Sequence, residues 1–169
     1  RMLNKNESIS ILNTADCFII PIIVFLGIIT RFWINGWPDY ETFDEVHFGG
    51  FTNGYINQEY FFDIHPPLAK LLIAFVSYLS GYKGNIDFES LYSKKYFDEK
   101  SKEILIDYIT LRLAPQIFSS FVPAIIYITM RILHFSIISS ITSSSLLLFE
   151  TSIICEGKFI LTDGILHFF

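Results

Sequence analysis

The sequence predicts an all-α polytopic membrane protein, and three observations predict it. Of 169 residues, 51% are hydrophobic, 18 are Phe and only 17% are charged, which is too apolar for an ordinary soluble domain of this length. Several apolar runs approach the roughly 20 residues that span a bilayer. Trp, Pro and charged residues punctuate their ends. The net charge of -5 excludes a nucleic-acid partner, because a binder of phosphate backbones needs a basic stripe that appears nowhere. Cys17 and Cys155 sit in apolar runs without metal or redox spacing and read as small buried hydrophobes.

Residues 1–16 read as a cytosolic N-terminus. The first span covers 17–34, "CFIIPIIVFLGIITRFWI", apolar apart from Thr30 and Arg31. Trp33 and Trp37 follow it like an interfacial aromatic belt, and Pro38 ends the helical pattern. A cleaved signal peptide is the competing reading, but no small-residue cleavage site follows. Residues 35–111 form a long polar loop. Within it, "HPPLAKLLIAFVSYLSGY" is apolar from Leu68 to Leu79, opens on a Pro pair that suits a helix start and is too short to span, so it reads as an interfacial amphipathic helix. The stretch "SKKYFDEKSKE" reads as solvated loop with a short helix.

The second span covers 112–134, with Pro115 and Pro123 tolerated inside it and Arg112, Arg131 and His134 at its ends. The third, 137–154, is Ser-rich and should pack closely on other helices. A fourth begins at 159 and is cut within "ILTDGILHFF", so the reading expects a fragment. Arg1, Lys5 and Arg131 place the N-terminus and the turn between spans two and three in the cytosol, and the acidic loop outside it. The sequon Asn6-Glu7-Ser8 is then cytosolic and should stay unglycosylated.

Chemistry concentrates in the first loop. In "FDEVHFGGF", Asp44 and His47 are i and i+3 neighbours on a helix while Glu45 points elsewhere, so the two carboxylates need not share a task. A carboxylate near the bilayer and walled by Phe43, Phe48 and Phe51 is a better base than one in water. A solvated helix start is the plainer reading. Asp44, His47, Asp63 and His65 are also atom types that a divalent ion takes, though their spacing matches no metal signature. "DIHPPLAK" reads equally as a turn with Lys70 snorkelling to headgroups. Arg112, as an unpaired guanidinium at the outer end of span two, invites a phosphate or a headgroup. Glu150, Glu156, Lys158 and Asp163 interrupt apolar sequence, and intramembrane ionisable residues are functional candidates, with a Glu156–Lys158 pair as the structural alternative.

In order, "TRF", "FDEVHFG", "FFDIHPPLAKLL" and "GY" resemble the N-terminal part of the protein O-mannosyltransferases, the dolichyl-phosphate-mannose dependent enzymes. The family's first luminal loop has D-E-x-H-F-G and F-F-D-V-H-P-P-L-G-K segments, and Ala69 stands here for the usual Gly. "LLFETSIICEGKFILTDGILHFF" is similar to a later family stretch, with Thr151 for Asn and Gly157-Lys158 for Ser-Arg.

The resemblance implies the N-terminal part of a C-type glycosyltransferase membrane domain in the endoplasmic reticulum membrane, ending before the remaining spans and the luminal MIR domain. The implied activity moves mannose from dolichyl phosphate mannose to Ser/Thr hydroxyls of secretory and membrane proteins, with inversion. Asp44 is implied as general base, Glu45 as an orienting group and Arg112 as the holder of the donor phosphate. His47, His65, Asp63, Lys158 and Asp163 are supporting residues. No obligatory cofactor or metal is implied, since glycosyl phosphate has a good leaving group and no D-x-D motif occurs. Implied partners are the lipid donor, acceptor polypeptides, membrane lipids and a homo- or heterodimeric paralogue. The alternative is a truncated or divergent non-catalytic partner subunit.

Overall fold

The computed structural model describes residues 12–38, 40, 42, 44–88 and 102–169, with 102–106 as backbone only. The sequon at Asn6 and nearly all of "SKKYFDEKSKE" lie outside the described residues. The elements are α1 Thr14–Phe32, α2 Glu45–Asn57, α3 Pro67–Leu79, α4 Lys102–Ile132, α5 Ile137–Phe149, α6 Thr151–Lys158 and α7 Asp163–Leu166. Helix is the sole regular structure among the described residues. α1 and the Asp107–Ile132 part of α4 are long and apolar enough to cross a membrane, and α5 with α6 makes a third, broken candidate.

α4 is the axle of the fold, with α1, α3, α5, α6 and α7 packed on it and α2 packed on α3. At 31 residues it is about 46 Å long, more than a hydrocarbon core of about 30 Å, so its first turns belong to the polar loop. The second helix therefore begins well before the expected residue 112. α1 starts on a capping box, in which Asn13 Oδ1 accepts from Asp16 N (3.1 Å) and Asp16 Oδ2 from Asn13 N (2.7 Å). Asp16 also binds Tyr127 Oη (2.5 Å) and Arg131 Nε (2.9 Å), which ties the start of α1 to the end of α4. Midway, a Cβ on Gly27 would lie 2.2 Å from the Ser120 carbonyl oxygen, so the two backbones touch where no side chain fits.

The expected third span is not one helix. α5 and α6 meet at a 56° bend on Glu150, whose extended backbone ends one helix while its carboxylate caps the next through Ile153 N (2.7 Å). The Ser-rich face packs on α4: Ser140 and Ser144 are buried, and Ser144 Oγ donates to Pro123 O (2.7 Å). The region from 159 holds the short α7 rather than a continuous span. Both cysteines are exposed on their helices, not buried hydrophobes.

α3 buries Lys70, Ile73, Ala74 and Ser77 and exposes Leu68, Leu71, Phe75, Tyr78 and Leu79. The core joining it to the rest contains Phe48 of α2, Ile73 of α3, Tyr82, Leu111 of α4 and Ile160. A second cluster, Ile23 with Ala124 and Tyr127, lies between α1 and α4.

Candidate active site

α2 begins at Glu45, and this puts Asp44 and Glu45 on different sides of the chain. Successive helical positions do not face each other. Glu45 turns inward and is fully buried. Its Oε1 accepts from Arg112 Nε (3.0 Å) and from Ile160 N (2.8 Å). Its Oε2 accepts from Arg112 Nη2 (2.9 Å), Thr42 N (2.9 Å) and the Tyr108 hydroxyl. Arg112 spends its remaining donors on Tyr108 Oη (2.8 Å) and on the carbonyls of Asn35 and Pro38 (both 3.3 Å).

The expectation of an unpaired Arg112 at the membrane surface is therefore corrected. Its side chain is 1% exposed, bidentate with Glu45 and covered by the rings of Tyr108 and Phe159. A guanidinium so placed is a buried pair that joins α4 to the start of α2. Glu45 likewise faces the core, with no open side for a substrate.

Asp44 turns outward. It is half-buried, and its carboxylate makes no capping hydrogen bond to the helix it precedes. It lines a largely apolar cleft of about 460 Å³ together with Phe48, His65, Leu161, Asp163 and Ile165. Three of the candidate residues, Asp44, His65 and Asp163, thus converge although they come from three different segments.

On the α3 side the cleft is lined by His65, Pro66, Leu68 and Ala69, and His65 is held from behind by Asp63 and Lys70. Lys70 Nζ is bound to the Asp63 carboxylate and donates to His65 O (3.0 Å), with the Phe51 ring 5.1 Å away. Lys70 is buried by this pairing, so it does not snorkel to headgroups. His65 Nδ1 lies 3.0 Å from Asp63 Oδ1, and Phe48 meets its ring edge-on at 5.6 Å. Burial raises the affinity of the Asp63 carboxyl for a proton, but the hydrogen bonds from Lys70 and His65 outweigh it and hold the group at about 2.

Two candidates lie elsewhere. His47 lines a separate groove of about 390 Å³ with Asn53, Glu59 and Asp87, so it does not share a cleft with Asp44 despite the i, i+3 spacing. Lys158 Nζ donates to Trp33 O (2.7 Å) at the end of α1. Glu156 does not pair with Lys158; its carboxylate lies 3.7 Å from His167 Nε2. Among the described residues no three His, Cys, Asp or Glu side chains are grouped to hold a metal ion: Asp44 and His65 line one cleft, His47 lines another groove, and Asp63 lies behind His65, bound to Lys70.

Sequence reasoning missed Tyr108, Gln116 and Arg31. Tyr108 stands one turn before Arg112, a signal readable once α4 is known to start early. Gln116 Nε2 donates to Asn35 Oδ1 (2.5 Å) and fixes the loop after α1. Arg31 is fully buried, a cation in an apolar span that intramembrane cost alone marks out.

An apolar helix bundle in which Asp44 and His65 from the loop after the first span and Asp163 of α7 line one largely apolar cleft defines a helical membrane protein. The sequence profile of the family described as dolichyl-phosphate-mannose-protein mannosyltransferase matches residues 21–169, and the chain belongs to that family. It is 40% identical over 147 residues to dolichyl-phosphate-mannose–protein mannosyltransferase 4 of Schizosaccharomyces pombe, covering 87% of this chain and 18% of that protein. It is 39% identical over 166 residues to dolichyl-phosphate-mannose–protein mannosyltransferase 3 of Saccharomyces cerevisiae, covering 98% and 21%. Protein O-mannosyl-transferase 2 of Danio rerio is 34% identical over 152 residues, 90% of this chain and 19% of the relative. The chain spans about a fifth of the length of these relatives.

Proposed function

We propose that this chain forms the donor and acceptor end of an enzyme that transfers mannose from dolichyl phosphate mannose to Ser or Thr hydroxyls of polypeptides. The observation that carries the reading is the outward carboxylate of Asp44 at the apolar cleft, backed by a buried Glu45–Arg112 pair. Asp44 is the general base: its oxygen takes the proton of the acceptor hydroxyl as that oxygen attacks the anomeric carbon from the face opposite the phosphate, inverting a β-linked donor to an α-linked product. The apolar lining, Leu161, Ile165, Leu166 and Phe169 among it, suits the first isoprene units of a lipid donor.

Glu45 and Arg112 act as positioning residues that hold the first turn of α2, in place of the direct substrate roles expected of them. Phosphate is a competent leaving group, so no metal is required for the step. The name of the matched family supports the donor and acceptor classes. The cytosolic N-terminus, the loop in the lumen of the endoplasmic reticulum and pairing with a paralogue belong to the same proposal. The orientation is supported by Arg131 at the inner end of α4.

The test is Asp44→Asn in the full-length protein. Transfer to an acceptor peptide should fall by about a hundredfold or more with membrane accumulation unchanged. Transfer kept near wild type removes Asp44 as the base, and a wild-type protein that never transfers but binds an active paralogue replaces the enzyme with a scaffold.

A further inference from the structure

We propose that His65 is a second catalytic group of the cleft, presenting Nε2 to the donor phosphate and protonating it as it leaves; this rests on the transfer reaction proposed above. The ring is held from several sides. Asp63 faces Nδ1 from 3.0 Å (Oδ1) and 3.3 Å (Oδ2), Phe48 packs against its edge, and Lys70 pins its carbonyl. Half of the side chain remains exposed, and the residue lines the same cleft as Asp44. With the Nδ1 hydrogen directed at a carboxylate, Nε2 is the nitrogen left for chemistry, and it has no partner among the described residues.

A purely structural role explains this poorly. Lys70 alone neutralises Asp63 and fixes the His65 backbone, so the loop is secured without the imidazole. Lys70 and Asp63 pair with each other, and among the described residues His65 is the sole nitrogen-bearing side chain in the cleft lining. The groups that face it across the cleft are Asp44 from the start of α2 and Asp163 from α7. A phosphate leaving as a dianion beside Asp163 would meet repulsion, which a donated proton relieves.

The step balances. The acceptor oxygen bonds to the anomeric carbon while its proton passes to Asp44. The bond from that carbon to the phosphate oxygen breaks, its electron pair goes to the oxygen, and the His65 Nε2 proton follows. The lipid phosphate leaves as a monoanion. Neutral His65 then recovers the proton from Asp44, so the proton lost by the hydroxyl ends on the phosphate and both side chains are restored.

The experiment measures kcat and the acceptor KM from pH 5.5 to 8.5, with dolichyl phosphate mannose as donor and the full-length protein in membranes. Variants are His65→Ala, with and without added imidazole, and Asp63→Asn. His65→Ala should lower kcat by about 10- to 100-fold with the acceptor KM unchanged, lose the alkaline fall of the wild-type profile and regain part of kcat with imidazole. Asp63→Asn should lower kcat by less than His65→Ala, with the acceptor KM unchanged. Wild-type kcat in His65→Ala, or a pH-independent loss that imidazole does not touch, overturns the inference. A wild-type protein without transfer instead removes the mannosyl-transfer reading itself, so the two failures are separable.

Discussion

Glu45→Ala should be the most destabilising single change in the loop, and its size follows from what it leaves behind. Glu45 accepts from Arg112 and Tyr108 of α4, from Thr42 and from Ile160, three segments held by one carboxylate. Removing it strands a guanidinium that is 1% exposed. Breaking a buried pair from one side costs about 3–5 kcal/mol, a fifth or more of a stability of about 5–15 kcal/mol. In equilibrium terms that is about two to three and a half orders of magnitude. Glu45→Gln keeps the shape and the acceptor oxygen to Ile160 and should cost about half as much. The pair is neutral as a unit, so Glu45→Leu combined with Arg112→Leu should recover much of the loss of either single change. The assay is thermal unfolding of the full-length protein in detergent, read by the fraction remaining monodisperse after heating. Glu45→Ala melting like wild type while transfer disappears would refute the reasoning, because it would make Glu45 a substrate contact with no structural load.

Three further outcomes are expected. Gly27→Ala places a Cβ 2.2 Å from a backbone oxygen of α4, so the helices must separate at a cost of about 1–3 kcal/mol, whereas Gly50→Ala, with nothing within 4 Å, should melt like wild type. Asp63 carries a proton affinity lowered to about 2, so its stabilisation is present above the unfolded carboxylate range and is lost as pH falls towards 2. Asp63→Asn should therefore melt below wild type above about pH 5, with the difference closing between about pH 4 and 2 in a pH series of melting curves. Asp16→Ala removes the capping box and the partner of Arg131 and Tyr127 together, so amide exchange at the start of α1 and the end of α4 should rise more than in Asn13→Ala, which costs about 1 kcal/mol.

The helices were legible where their cause is local. Apolar runs mark α1 and the membrane part of α4, and the Pro pair at 66–67 marks the start of α3. Adjacency alone separates the tasks of Asp44 and Glu45, since neighbouring helical positions diverge. What stayed hidden depends on distant partners. Arg112 bonds a carboxylate 67 residues away, and nothing near it in sequence distinguishes that from a surface guanidinium. Lys70 reads as a snorkelling cation until Asp63 is seen folded back on it. His47 fits a shared face with Asp44 by spacing, but Asp44 precedes the helix, so its carboxylate leaves on the other side.

The break at Glu150 belongs to the same class, and its cause links the first span to the cleft. A helix that ends inside the bundle leaves carbonyls without donors and a partial negative charge at its C-terminus. Arg31 supplies both needs, donating to Leu147 O (3.3 Å) and Leu148 O (3.1 Å) from a fully buried position where a carboxylate partner would otherwise be expected. Lysine lacks the fork that reaches two carbonyls while the same group binds Thr30 Oγ1 (2.7 Å). Beyond the bend, Gly157 lies against Ser119, a contact so close that a Cβ would sit 2.3 Å from the hydroxyl, and α6 is thereby laid on α4. The chain then turns so that Ile160 N meets Glu45 and Asp163 reaches the cleft. The orientation of the Asp44 carboxylate thus depends on a succession that starts from Arg31: a capped helix end, a glycine contact, one backbone hydrogen bond and a buried ion pair.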